Sequence, residues 1–389
     1  MSRIYLDHNA TSPLRPEARE AMSRALETTA GNPSSLHAWG RAARLLVESS
    51  RQEVARLVGS LPEEIVLTSG GTESNNLSVY GAAGRPAAAA GRVVTSAIEH
   101  PSVLGPMEDL EHCGLEVARV RPTRDGVVEA EAILESAGGH AAFVSLMLAN
   151  NEVGTLQPVA QVGRELRRRG ILFHCDASQA AGKVPIDVRE LCCDLMTIAG
   201  HKFGAPQGVG ALYVRRGLAL RPHLRGGGQE LNRRPGTENV AAIAGFGAAA
   251  AAAARDIGDG ARRQADLRDR LEDEVLRRLP DTRVNGRTAP RVPNTSSLAI
   301  EEVSGESLVI ALDLEGIAVS AGSACSAGTI RKSHVLEAMG LERESGTSIR
   351  VSLGPSTTRE EVETFVETLE RVVDRARSVA ARLTARGGA

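Results

Sequence analysis

Polar groups recur just past short apolar runs in the first two-thirds of this chain. Beyond 64–68 comes Ser69-Gly70-Gly71-Thr72-Glu73-Ser74-Asn75-Asn76, and beyond 92–96 comes His100. Asn150, Asn151 and Glu152 follow 141–148, Asp176 and Gln179 follow 171–175, and His201 and Lys202 follow 194–198. A glycine turn opening a helix offers free N–H groups and a positive dipole end to an anion such as phosphate. Taken alone, that turn could be a tight connection, and a His before Pro is more often a helix cap than a catalyst. Five polar strand ends together read better as one site, because open parallel sheets bind ligands outside their carboxyl ends.

The lysines sharpen this reading. Lys+Arg number 46, yet only Lys183, Lys202 and Lys332 are lysines. Arg serves wherever charge suffices, so each lysine raises the question of why a titratable, nucleophilic amine is there. A phosphate cradle, an acidic group at a strand end, a strand-end His and an isolated lysine together suit pyridoxal 5'-phosphate. That cofactor requires a Lys for its Schiff base and an acidic partner for its pyridinium nitrogen. Lys202 is the lysine of choice, since it follows an apolar run and precedes Phe203-Gly204. Lys183 and Lys332 read as lying in polar surroundings.

Positioning such groups requires an α/β frame. The near-continuous apolar runs 64–68, 92–96, 141–148, 171–175, 194–198 and 209–214 alternate with helical patterns such as 16–28, 38–58 and 159–169. This predicts a mainly parallel sheet covered on both faces. An alanine-rich stretch at 241–254 reads as a long helix, Ala being the best helix former. A glycine-bearing break at 256–260 and a charged helix at 261–279 then open a smaller α+β region. That region has strands near 296–300 and 348–352 and a final helix at 359–385. There is no internal repeat.

Length and composition exclude several classes. The 389 residues carry a formal net charge of −2, which argues against a generic nucleic-acid binder. No apolar run approaches the ~20 residues of a membrane span, and nothing resembles a signal peptide, so a cytoplasmic protein is expected. Aromatics are 2%, which leaves the core to Leu, Val, Ile and Ala. The five cysteines are odd in number and without zinc spacing, so neither a disulfide framework nor a metal site is expected. Cys113, Cys175, Cys192 and Cys193 read as buried spectators, whereas Cys325 lies among small and polar residues.

The sequence resembles the cysteine desulfurases of the NifS/IscS type, within the class V aminotransferase group of fold-type I pyridoxal-phosphate enzymes. The resemblance runs from Tyr5-Leu6-Asp7-His8-Asn9-Ala10-Thr11 to Ser348-Ile349-Arg350-Val351-Ser352-Leu353-Gly354. Between them lie Gly31-Asn32-Pro33-Ser34-Ser35, Gly200-His201-Lys202-Phe203, Gly226-Gly227-Gly228-Gln229-Glu230, Gly236-Thr237-Glu238-Asn239-Val240 and Gly322-Ser323-Ala324-Cys325. It implies an α/β large domain with a mainly parallel seven-stranded sheet over 16–258. A small α+β domain over 259–389 would carry the Cys325 loop, and a segment 1–15 would pack with it.

The same resemblance implies roles. Lys202 would hold the cofactor and move the Cα proton, Asp176 would pair with the pyridine nitrogen, and Gln179 would hydrogen-bond the ring hydroxyl oxygen. His100 would lie over the ring. Gly71, Thr72 and His201 would hold the phosphate, joined by Thr237 from a partner subunit of a homodimer. Asn151 and Arg350, with Asn32, would engage the carboxylate of L-cysteine. Many relatives carry Ser where this chain has Ala199, which removes one phosphate donor. Cys325 would attack the substrate sulfur, giving L-alanine and an enzyme persulfide. The length from Cys325 to His334 resembles the IscS-like group, which passes sulfur to an acceptor protein such as an iron–sulfur scaffold. There Cys325 could contact the scaffold's cluster. Selenocysteine lyase, or another class V pyridoxal-phosphate enzyme, is the alternative.

Overall fold

The computed structural model describes residues 3–83, 91–321 and 332–387. In chain order the strands are β1 (Ile4–Tyr5), β2 (Ile65–Thr68), β3 (Arg92–Ser96), β4 (Glu116–Val120), β5 (Phe143–Ser145), β6 (Leu172–Asp176), β7 (Leu195–Ala199) and β8 (Gly210–Val214). They continue as β9 (Thr282–Val284), β10 (Thr295–Ile300), β11 (Ile317–Ala318), β12 (Ser320–Ala321) and β13 (Ser348–Ser352). The helices are α1 (Pro16–Thr28), α2 (Ala38–Leu57), α3 (Gly71–Ala83), α4 (Pro101–His112), α5 (Ala130–Ala137) and α6 (Val159–Arg169). After them come α7 (Val188–Leu191), α8 (Val240–Asp256), α9 (Asp259–Arg278), α10 (Gly305–Leu314), α11 (His334–Ala338) and α12 (Arg359–Gly387).

Seven strands form one sheet in the order β2-β8-β7-β6-β5-β3-β4. All run parallel except β8, which is antiparallel to both of its neighbours. Strands β2, β6, β7 and β8 are buried at every position, which is why they read as apolar runs without alternation. One face packs Val66, Val93, Phe143, Leu172, Leu195 and Leu212 against Leu77 and Val79 of α3 and Val103 and Met107 of α4. The other face carries the larger core, with α1, α2, α6 and α8 contributing Ala18, Val47, Val54, Leu166 and Phe246. Few aromatics are needed because helices approach closely. A Cβ on Gly247 would sit 2.6 Å from Ser50 Cα, so α8 meets α2 almost backbone to backbone.

A second apolar cluster stands apart, built from Leu271, Leu298, Leu308, Ile349, Val351, Phe365 and Leu369 around the four-stranded sheet β12-β13-β10-β9. The chain start belongs to it. Strand β1 pairs in parallel with β11, and Ile4 and Leu6 are buried in this cluster. Between the two cores, α8 and α9 meet at 72° across Ile257 and Gly258, whose φ of +117° is a glycine conformation. Among the described residues no single helix is long and apolar enough to cross a membrane.

The expected strands and helices are present, with small shifts of boundary. The run 141–148 shortens to the ladder Phe143–Ser145. Strand β4 has no counterpart among the expected runs, because it lies at the sheet edge with Glu116 and Arg119 interrupting a half-exposed run. Two of the expected buried cysteines are not buried. Cys113 is exposed where α4 ends, and Cys192 is half-buried in the left-handed residue that ends α7.

Candidate active site

The carboxyl ends of β2, β3, β5, β6 and β7 surround a cleft of ≈ 300 Å³, and Arg350 of β13 closes it from the second core. Each strand delivers its polar residue by a short local device. Past β2 the chain turns at Ser69 and Gly70 into α3, whose first-turn N–H groups have no intrahelical partners. A Cβ on Gly71 would meet Ser178 Oγ at 3.0 Å and Ala199 Cβ at 3.2 Å, so only glycine leaves this end of the cleft open. Past β7 a 3-10 turn, Gly200–Phe203, places His201 and Lys202 on the cleft wall.

Asp176 ends β6 at the cleft floor and is 5% exposed. Its Oδ2 accepts from Asn75 Nδ2 at 2.7 Å and its Oδ1 from the Ser178 N–H at 2.9 Å. Asn75, one turn into α3, also donates to Ser102 Oγ at 2.8 Å. Below the floor, His174 is fully buried between Ser145 and Thr197, and burial pushes its imidazole down to about 4.

His100 serves as both cap and site residue. Its Nδ1 accepts from the Ser102 N–H at 3.1 Å, capping α4. A backbone N–H can only donate, so the neutral ring carries its proton on Nε2. Burial lowers the imidazole below its ordinary value, with Asp176 opposing. His201, with Nδ1 3.2 Å from Thr11 Oγ1, is pushed down to about 4 by burial and then by Lys202 and Lys183.

The Lys202 amine donates to the carbonyl oxygens of Asn9 at 2.6 Å and Ala10 at 3.0 Å. Burial, with the charge of Arg350, pushes it down to about 8, against the opposing pull of Asp176 and Asp7. Arg350 Nη2 donates to Asp7 Oδ1 at 2.8 Å and Nη1 to the Asn151 carbonyl at 3.0 Å. Asn9 ties the two halves of the cleft together. Its Nδ2 donates to Thr295 Oγ1 at 2.8 Å, and its N–H donates to Ser352 Oγ at 2.9 Å.

Of the residues expected from sequence, Gly71, Thr72, His100, Asn151, Asp176, Gln179, His201, Lys202 and Arg350 all line this one cleft. Asn32 is exposed with its Oδ1 taken by the Ser34 N–H, and Thr237 is exposed; neither lines the cleft. Cys325 lies outside the described residues. The chain on either side of it is held at the rim. Before it, Ser320 and Ala321 of β12 pair with Arg350 and Ile349. After it, Ser333 Oγ donates to Glu152 Oε2, and His334 Nε2 lies 3.0 Å from the Glu99 carbonyl oxygen. Asn9, Asn75, Ser102 and Ser178 line the cleft without having been singled out. Asn75 could have been found from the helix period, since it lies one turn beyond Gly71 on the same face. Lys183 has polar partners, Asn9 and Gln179, but it is 8% exposed and buried beneath the cleft.

The chain matches the aminotransferase class-V family model over residues 4–365. It is 41% identical over 377 residues to the cysteine desulfurase IscS of Dictyoglomus turgidum, covering 97% of this chain and 96% of that one. To the IscS of Methanosarcina thermophila it is 39% identical, covering 97% and 93%. A solved NifS-like protein superposes with a TM-score of 0.88 at 34% identity, over 96% of this chain and 99% of the other. SspA, solved in complex with cysteine, gives 0.80 at 30% identity, over 91% and 100%. The chain belongs to the class V aminotransferase family. Within that family it is a cysteine desulfurase of the IscS/NifS type.

Members of this family depend on pyridoxal 5'-phosphate, and the cleft fits that group. Three buried polar atoms on its wall have no hydrogen-bond partner among the described residues: Asn75 Oδ1, Asn151 Oδ1 and Arg350 Nε. The donor set also suits the cofactor's parts, with a carboxylate at the floor, a glycine-opened helix end beside Thr72 and His201, and a deprotonatable amine between them.

Proposed function

We propose that this protein binds pyridoxal 5'-phosphate through Lys202 and uses it to take sulfur from L-cysteine, leaving a persulfide on Cys325 and releasing L-alanine. The observation that carries this reading is the convergence of Asp176, Lys202, His100 and Arg350 on one cleft. That SspA is solved with cysteine supports the choice of substrate. When bound, the cofactor acts as an electron sink for bonds at the substrate's Cα and Cβ.

The chain's residues hold and aim everything else. Asp176, fixed by Asn75 and the Ser178 N–H, faces the ring nitrogen; Gly71, Thr72 and His201 take the phosphate. Thr237 would come from the partner subunit of a homodimer, consistent with its exposure here. Arg350, backed by Asp7, and Asn151, whose Oδ1 has no partner among the described residues, grip the substrate carboxylate, and Asn32, which does not line the cleft, would assist. Arg suits this grip because its planar fork meets a carboxylate bidentately. Lys202, with an amine pushed down to about 8, holds or releases a proton at Cα near neutral pH. His100, protonated on Nε2 when neutral, stands where it can exchange a proton with the substrate thiol. The Cys325 thiolate then forms an S–S bond to the substrate sulfur as the C–S bond breaks. The electron pair stays with carbon, and one proton completes L-alanine.

Sulfur transfer to an acceptor protein, such as an iron–sulfur scaffold, follows from the same reading. A cytoplasmic location agrees with the four described cysteines all being free. The deciding experiment is sulfide and alanine release from L-cysteine, with and without a reductant, for the wild type and Cys325→Ser. Alanine and sulfide should appear in equal amounts with reductant. Cys325→Ser should keep the cofactor's colour and lose sulfide release; substantial desulfuration by that variant would remove Cys325 from the mechanism.

A further inference from the structure

Lys183 takes no part in the chemistry above, yet its amine is buried beneath the cleft at 8% exposure. Nζ donates to Asn9 Oδ1 at 2.7 Å and to Gln179 Oε1 at 2.8 Å. Among the described residues it has no carboxylate partner. Burial, then the nearby Lys202 and Arg350, push its pKa well below the ordinary value. A buried amine with only neutral acceptors is costly, and an apolar side chain of similar length would be cheaper for stability.

What this amine supplies is orientation. The two ends of a primary amide are nearly equal in shape, so its neighbours decide which end faces where. A donor at Lys183 requires the oxygen of Gln179 to face it. Nε2 is thereby turned the other way, where it donates to the Asn9 carbonyl oxygen at 2.9 Å. That same oxygen receives the Lys202 amine. Gln179 lines the cleft, whereas Lys183 does not.

We propose that Lys183 is a positioning residue that locks the Gln179 amide with its N–H end toward the cofactor site. The proposal rests on the reading of Gln179 as donor to the cofactor's ring oxygen. A donor there favours the form in which that oxygen is negative, so the Lys202-bound cofactor gives up its proton at lower pH. If the amide is free to rotate, its oxygen can face the site and the proton is held more tightly.

The groups that share this field are His8 and Asp7 at the chain start, Asp176, His201 and Lys202 at the strand ends, His100, and Arg350. Because Lys183 also adds charge, the test must separate orientation from field. The readout is the pH midpoint of the bound cofactor's visible absorbance, alongside cofactor affinity measured on the stripped protein. Lys183→Met should raise the midpoint by about one unit, the scale of one hydrogen bond to a charged group. In a Gln179→Leu background the same substitution should move it far less, and Lys183→Arg should return it toward the wild type. An unmoved midpoint in Lys183→Met, or equal shifts in both backgrounds, would overturn the proposal. If Lys183→Met does not fold, Gln179→Leu alone decides, since it removes the site's donor without adding a charge and should raise the midpoint. An unmoved midpoint there also overturns it. Failure of the wild type to bind the cofactor would instead defeat the functional reading on which the proposal rests.

Discussion

Ser320 stands directly opposite Arg350 in the antiparallel pair β12–β13. The strand leading toward Cys325 and the strand bearing the cleft's guanidinium are therefore adjacent rungs of one ladder. The segment that leads to Cys325, the proposed nucleophile, starts beside the group that would anchor the substrate's carboxylate.

Arg350→Lys keeps the charge but loses the fork, with one nitrogen on Asp7 and another on Asn151. A charged hydrogen bond contributes about 1.5–3 kcal/mol, so kcat/KM for L-cysteine should fall by roughly 10- to 150-fold. Most of the loss should appear in KM, with cofactor retention unchanged. Steady-state kinetics beside a cofactor count check this, and an unchanged KM would contradict the carboxylate role.

Lys202 gives a pH dependence with a definite sign. Its amine is pushed from 10.5 to about 8. Capture of pyridoxal 5'-phosphate by the stripped protein needs the neutral amine, so the rate should rise with pH and level off above about 8. The unfolded chain holds this proton up to the ordinary lysine value. The stripped protein's stability should therefore gain from this group as pH rises through that window. Asp176 raises the Lys202 value, so Asp176→Asn should shift the capture profile to lower pH. Stopped-flow absorbance across pH reads both, and a midpoint near the ordinary lysine value would refute the assignment.

Asn75 is the only side chain in the described structure that donates to Asp176. Asn75→Ala should weaken cofactor retention by roughly 10-fold, about one hydrogen bond to a charged group. Asn75→Asp, which sets a second carboxylate against Asp176, should weaken it further. Fluorescence titration of the stripped variants measures this, and equal affinities across the series would show that the contact is idle.

Arg291 and Glu272 form a buried pair, with side chains 4% and 1% exposed and oxygen–nitrogen distances of 2.7 and 3.0 Å. Arg291 also bridges to Thr155 of the large sheet's connections. Glu272 also meets Arg287 at 3.5 Å, whereas Arg291 has no other carboxylate among the described residues. Glu272→Met therefore strands a buried charge and should lose about 3–5 kcal/mol of stability. Arg291→Met with Glu272→Met should recover much of that loss. Denaturant unfolding of the two variants decides; equal losses would show that no stranded charge is involved.

The groups at the strand ends were legible because parallel sheets put ligands there, and because Lys is so rare in this chain. What escaped has physical reasons. Asn9 reaches the cleft from a two-residue strand, too short for any periodic signal, and its partners come from the far end of the chain. Lys183 stands beside Ala180, Ala181, Val184 and Ile186, and nothing in that stretch says that its amine will meet Asn9 from the other end of the chain. The aspartate's support by Asn75 follows from helix register and was within reach. The cysteines at helix ends failed because an apolar neighbourhood in sequence does not bury a residue at a turn.

The arrival of Asn9 has a consequence for how the protein is made. Its N–H bonds Ser352, and Asp7 bonds Arg350, each across 343 positions of sequence. At ~5–20 residues per second a ribosome needs roughly 17 to 70 seconds to make the intervening chain. The large sheet can form meanwhile, but its cleft lacks one wall until β13 emerges. The segment around Asn9 is thus among the last to dock, and a nascent chain that reaches only to about residue 300, where β10 ends, cannot have a finished site.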